Sequence, residues 1–316
     1  MGEIDETLGA LVVAYVLAWG LFGVMSMQSF NYFQRFSKDT LWLKSLVGGL
    51  WLLDTLQLVL IGHVLYYWVI TNYDNPKVLA VSVWSFNIGI LVTNTIVLIV
   101  ELFLARRVYI LSNKNRLLTG LIVFLSFTYF GFEMAVQVRT FQLKRIALFF
   151  EFQWIASVGL ACASAADLII AASLSYYLLK SRTGIKTTDS VVNKLILYAM
   201  NTGLLTGICV LIDMICFLTM PKNLIHIAFN LVVGKLYTNS LLATLNFRDT
   251  IRKGAKEVHT FSLNAMPTDT TANFKFRAAP GTETTPSMDR TLNISTDNGG
   301  YESTRSIQEM KFANAV

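Results

Sequence analysis

Apolar residues recur along the first three quarters of this chain in seven long stretches. They lie near residues 8–33, 44–70, 79–105, 117–138, 152–179, 195–219 and 224–247. About 20 predominantly apolar residues suffice for a helix to cross the hydrocarbon core of a bilayer, so each stretch predicts a membrane-spanning helix. The fourth is the shortest and is interrupted by Glu133. The fifth, SVGLACASAADLIIAAS, is rich in the small side chains that let helix backbones approach closely in lipid. Pro76 and Pro221 lie in connecting loops and the other prolines in the C-terminal tail, so helices free of proline kinks are expected.

After Arg248 the pattern dissolves. Residues 248–316 are rich in Thr, Ser, Asn, Gly and Asp, with no helical apolar period beyond the first dozen. Such a segment cannot bury enough apolar surface to fold alone. The expected organisation is therefore all-α: a seven-helix transmembrane domain over 1–247 and a disordered cytosolic tail over 248–316.

Composition narrows the class. Of 316 residues, 54% are apolar and 15% charged, against roughly a quarter charged in soluble domains. Lys and Arg near the span ends fall unequally on the two sides. One side collects Arg35, Lys38, Lys44, Arg106, Arg107, Lys114, Arg116, Lys180, Arg182, Lys186, Lys194, Arg248, Arg252, Lys253 and Lys256. The other has Lys77, Arg139, Lys144, Arg145 and Lys222. The richer side belongs in the cytosol, which sets the N-terminus outside and the C-terminus inside. Tyr66, Tyr67, Trp68, Trp84 and Trp154 would then lie at the outer interface, where amphipathic rings prefer to sit. The sequon at Asn293 would face the cytosol and stay unglycosylated.

The first span is preceded by acidic GEIDE rather than a basic segment and is too long for a cleaved signal peptide. Cys162, Cys209 and Cys216 all fall within apolar runs, so no external disulfide is expected. The net charge of +6 is accounted for by the basic loops and calls for no nucleic acid.

Ionisable residues at membrane depth are costly and face the bundle interior or a water cavity. At 1.5 Å per residue from the cytosolic end, Asp54 sits about 15 Å deep, and Asp167 and Lys235 about 20 Å. Three groups of opposite sign, from spans two, five and seven, are thus expected in one layer near the midplane. Each has polar company on its own helix face. Lys235 aligns with Thr238, Asn239 and Asn246, and Asp54 with Gln57. Asn87, Asn94 and Glu101 line span three, and Thr202, Thr206, Cys209, Asp213 and Cys216 line span six. These stripes predict a polar seam in which Lys235 is held by one or both aspartates. One lysine cannot neutralise two carboxylates.

The layer admits a structural ion pair, a ligand, ion or proton site, or a Schiff-base lysine carrying a retinal-type chromophore. His63, His226 and Asp213 near the outer span ends suggest a metal, but the chain holds only three histidines. No phosphate-cradling glycine motif and no nucleophile–base constellation occurs, so no enzyme is expected, and no cofactor is implied.

Four segments, WLLDTLQLVLIGHVLYYWVITNY (51–73), VYILSNKNRLLTGLIV (108–123), SRTGIKTTDSVVNKLILYAMNTGLLT (181–206) and KLYTNSLLATLNFR (235–248), resemble a large family of basidiomycete fungal seven-pass membrane proteins known as a domain of unknown function. The resemblance covers roughly 10–248. It implies seven helices in a fungal membrane and no particular activity. Asp54, Asn113, Lys114, Asp189, Asn201, Lys235 and Asn239 fall in the matching segments. G-protein-coupled receptors share the topology, but LARRVYILS stands where their Asp-Arg-Tyr would be, and span seven has no Asn-Pro. Microbial rhodopsins share a lysine in span seven, but Asn87 and Asn94 stand where their span-three carboxylates would be. Both analogies rest on architecture alone.

The expected function is a receptor-like sensor of a small molecule or ion. Its site would comprise Asp54, Asp167, Lys235, Asn239, Asn201 and Asn94, its solvent is the bilayer, its expected location the plasma membrane, and its expected partner a cytosolic protein at the inner loops. The alternatives are a transporter or proton-moving protein that uses the same residues as a relay, and a structural scaffold.

Overall fold

A computed structural model describes residues 8–264, apart from 74, 76–77, 79–80, 144–152, 181–185 and 221–223. Over most of 186–202 and over 249–264 it describes the backbone only. The sequon and the tail from 265 onward lie outside the described residues. Among the described residues there are seven α-helices: α1 (Ala10–Arg35), α2 (Leu41–Tyr66), α3 (Trp84–Leu111), α4 (Arg116–Leu143), α5 (Gln153–Lys180), α6 (Lys186–Thr219) and α7 (Ile225–Asn264). Each predicted apolar run falls on one of them. A helix of 28 residues, the length of α3, α4 and α5, is about 42 Å long and exceeds the hydrocarbon thickness.

Among the described residues, five helices are long and apolar enough to cross a membrane: α1, α2 with its π-helical turn Tyr67–Thr71, α3, α4 and α5. In α6 the described apolar part, Gly203–Thr219, is shorter. α7 carries Lys235 and several amides in its midst, and it continues past residue 247 to Asn264.

Successive helices pack side by side, and α7 closes the ring against α1 and α6. α3 is the most enclosed, touching α2, α4, α5 and α7. In its most apolar stretch 61% of residues are buried, against 22% in α1. The outer surface of the bundle is apolar: Val13, Val16, Phe30, Leu52, Val59, Phe124, Leu168 and Ile215 are all exposed. Asp54, Asn94, Glu101, Asp167 and Lys235 are buried instead. Polar groups inside and hydrocarbon outside is the arrangement that lipid as solvent favours.

Two contacts need glycine. A Cβ on Gly203 would stand 2.8 Å from the Ala171 Cβ, and one on Gly234 would stand 3.0 Å from Thr93 Cγ2. The small residues of α5 and of α7 thus set the approach to α6 and to α3, as close packing in lipid requires.

Tyr66, Trp84 and Trp154 share an exposed position on the surface of the bundle. Trp68 does not. The π-helical turn carries its ring inward onto Phe86, with centroids 5.8 Å apart.

The turn between α3 and α4 places Asn113 and Lys114 at φ 59° and 67°, a region in which residues other than glycine are strained. Asn115 then caps α4: its Oδ1 accepts the Leu118 amide at 3.2 Å. Asn115→Ala removes this cap and is expected to lower stability by about 1 kcal/mol, read as a drop in the thermal midpoint of the chain in nanodiscs.

Candidate functional site

The polar seam is built around α7. Lys235 Nζ lies 2.5 Å from Asp54 Oδ1 and donates also to the Asp54 carbonyl at 2.9 Å. Both side chains are 0% exposed. Asp54 Oδ2 has no hydrogen-bond partner among the described residues. Gln57, one turn along α2, donates through Nε2 to Thr93 Oγ1 at 2.7 Å. The ammonium is 5.9 Å from the centre of the Phe22 ring, close enough for a cation–π contribution.

Asp167 does not join this pair. Its Oδ2 accepts the Tyr237 hydroxyl at 2.6 Å, with Thr206 beside it. The expected single layer of three charges is therefore two separate polar contacts. Residues two apart on a helix point about 200° from one another. Lys235 accordingly faces α2 while Tyr237 faces α5.

Asn239 faces a third neighbour. Its Nδ2 donates to Leu21 O on α1 at 3.0 Å and to Lys235 O at 2.8 Å. Two turns on, Asn246 donates to Gln28 O at 2.8 Å. Asn94 on α3 accepts the Tyr129 hydroxyl from α4 at 3.0 Å. The side chains of Asn201, Thr202 and Asp189 lie outside the described residues.

Sequence reasoning missed the clasp at the end of the bundle where α1 stops and α2 begins. Arg248 NH2 lies 2.6 Å from Asp39 Oδ2, and the same carboxylate accepts the Tyr32 hydroxyl at 3.0 Å. The guanidinium carbon stands 4.7 Å from the centre of the Phe36 ring. An arginine at a span boundary reads as topology bias; only the fold brings the α1–α2 turn to it.

A second feature is a file of buried carboxylates. Asp213 sits six residues before the end of α6, Glu133 ten before the end of α4, Asp167 fourteen after the start of α5, and Glu101 seventeen after the start of α3. From the end of the bundle where α7 begins, these offsets are about 9, 15, 21 and 26 Å along the helices. Glu133 and Asp213 are electrostatic neighbours, as are Asp167 and Glu101, and Tyr129 lies in the field of all four. Glu101 stands beside Ser126, whose hydroxyl donates to Ile122 O instead, and both Glu101 carboxylate oxygens lack a hydrogen-bond partner among the described residues. Among the described residues, none of the four forms an ion pair.

A cavity of about 50 Å³ opens at the Asp213 end of this file. Glu133, Val136 and Gln137 line it from α4, Asp213 and Phe217 from α6, and His226, Ile227 and Asn230 from α7, with Ile90, Ala156 and Leu160 completing it. Lys235 is not among the lining residues. His63 is hydrogen-bonded to Ser85 Oγ at 2.8 Å on the α2–α3 side. Among the described residues, no three His, Cys, Asp or Glu side chains come together as a metal site.

These features define the chain as a helical, membrane-embedded protein with a charged and hydrogen-bonded interior. Residues 163–250 match a family of unknown function, DUF6534. The matched segment runs from the middle of α5 into α7 and contains Asp167, Lys235, Tyr237 and Asn239, while Asp54 and Asn94 lie before it. No curated protein and no solved structure matches the chain.

Proposed function

We propose that this chain is a seven-pass membrane protein of the fungal type its segments resemble, with its N-terminus outside, its tail in the cytosol, and the role of a non-enzymatic, receptor-like sensor. A small molecule or ion in the polar interior shifts α7 and so changes the cytosolic face. The observation that carries this reading is the way α7 is held. Polar contacts tie it to α2 through Lys235, to α5 through Tyr237 and to α1 through Asn239 and Asn246. Each is a discrete bond that can be exchanged, which suits an element with two arrangements better than continuous apolar packing does. Below them α7 runs on as a basic helix with Arg252, Lys253 and Lys256, where a cytosolic partner or an anionic leaflet can read its position.

The test uses spin labels at Leu117 on α4 and Lys253 on α7, with the three native cysteines replaced. Lys235→Met combined with Asp54→Asn unlatches α7 from α2 without leaving a lone buried charge. The inter-label distance is expected to shift or broaden by roughly 2–5 Å. An unchanged distribution removes α7 as the moving part and leaves the pair as a structural fastening.

The carboxylate file favours a second reading, a proton or cation conduit. Proteoliposomes holding a pH-sensitive dye separate the two: acid-driven flux that vanishes in Asp167→Asn supports the conduit, and its absence in the wild type supports the sensor.

A further inference from the structure

We propose that the cavity between α4, α6 and α7 binds a small monovalent cation, with Glu133 and Asp213 as its anionic walls and Gln137 Oε1 as a neutral ligand. Two carboxylates from different helices line it as electrostatic neighbours, and no ion pair with a described residue compensates either. Gln137 lies one helical turn from Glu133, is 7% exposed, and its Oε1 has no hydrogen-bond partner among the described residues. An amide oxygen buried without a partner on a polar cavity wall is an acceptor awaiting a donor or a cation.

The chemistry of the donors selects the ligand. Carboxylate and amide oxygens are hard donors, suited to alkali ions or to the N–H groups of an ammonium rather than to a thiophilic metal. Three clustered metal ligands are lacking among the described residues, which disfavours a tightly held transition metal. A volume of about 50 Å³, with roughly 10–15 Å³ needed per water, has room for an ion with two or three waters or for a methylammonium-sized group. His226 and Asn230 bring α7 into the same wall, Asn230 five residues before Lys235. The proposal thus names the ligand class that the sensor reading leaves open; it rests on that reading for its consequence and not for binding itself.

Thermal unfolding of the full chain in nanodiscs, at fixed ionic strength, tests it. Sodium, potassium and methylammonium chlorides are compared with the chloride of the bulky N-methylglucamine cation. At least one small cation is expected to raise the midpoint saturably, on the order of 3 °C. The alkali and methylammonium arms identify which kind of cation fits. Glu133→Gln with Asp213→Asn is expected to fold as well as wild type or better in N-methylglucamine, since two desolvated acids are gone, yet to lose the response. Gln137→Leu weakens the response about tenfold in concentration, the loss expected for one hydrogen-bond-strength contact to a charge. The Lys235→Met/Asp54→Asn variant retains it. Equal midpoints in all four salts overturn the site, as does a response surviving in the Glu133/Asp213 double variant. Cation binding without any change in the α4–α7 label distance sinks the sensor reading alone.

Discussion

Lys235→Met alone is expected to destabilise the chain by about 3 kcal/mol, and the addition of Asp54→Asn to restore most of the loss. The single change leaves an aspartate at zero exposure, with Oδ2 already lacking a partner and Oδ1 now abandoned as well. Halving a buried pair typically costs 3–5 kcal/mol, because the remaining charge has neither water nor counter-ion. The lower end applies here, since the chain unfolded within a bilayer also shelters polar groups. Replacing both partners removes the uncompensated charge along with the attraction and is often neutral. The measurement is a double-mutant cycle on the thermal midpoint in nanodiscs. At roughly 2–4 °C per kcal/mol the single variant should lose about 6–12 °C. Additive losses in the double variant would mean that the two side chains do not depend on each other.

Tyr237→Phe is the second large effect, at about 1.5 kcal/mol. It deletes the 2.6 Å hydrogen bond to Asp167 while leaving the ring in place. Side-chain hydrogen bonds between membrane helices average about 0.6 kcal/mol, with a maximum near 1.7. Bonds to charged groups are worth about 1.5–3. Asp167 is also buried between α5, α6 and α7 with Glu101 as an electrostatic neighbour, so the value belongs at the upper end of the membrane range. The control is Asp167→Asn, whose amide oxygen still accepts from Tyr237; it should cost clearly less than Tyr237→Phe on the same scale. If both variants cost the same few tenths, the contact is incidental to holding α7 against α5.

The two variants act on opposite faces of one helix, and this makes α7 informative. Lys235 and Tyr237 are neighbours in sequence, yet one reaches α2 and the other α5. Loosening either should leave α7 leaning on the other side. A label pair between α4 and α7 can register the lean in both variants, in opposite senses if the latches work against one another.

Much of this molecule was written in its residue pattern. Long apolar runs fixed where the helices lie, because hydrocarbon demands that every backbone polar group be satisfied within its own segment. The period of the polar positions fixed which faces turn inward: Asn87, Asn94 and Glu101 on α3 and Thr206 and Asp213 on α6 are all buried. That Lys235 needed an acidic companion followed from the cost of a lone ammonium in lipid.

What the sequence could not decide was which companion. Asp54 and Asp167 lie at similar depth, and depth is a one-dimensional quantity set by rise along an axis. Pairing depends on the azimuth of each helix and on the order of helices around the ring, which arise only when all seven pack together. The same limit hid the Arg248–Asp39 clasp, whose members are 209 residues apart, and the cavity at Glu133, Gln137 and Asp213, whose walls come from helices α4, α6 and α7. Local chemistry sets what each helix offers; the tertiary arrangement alone sets what it meets.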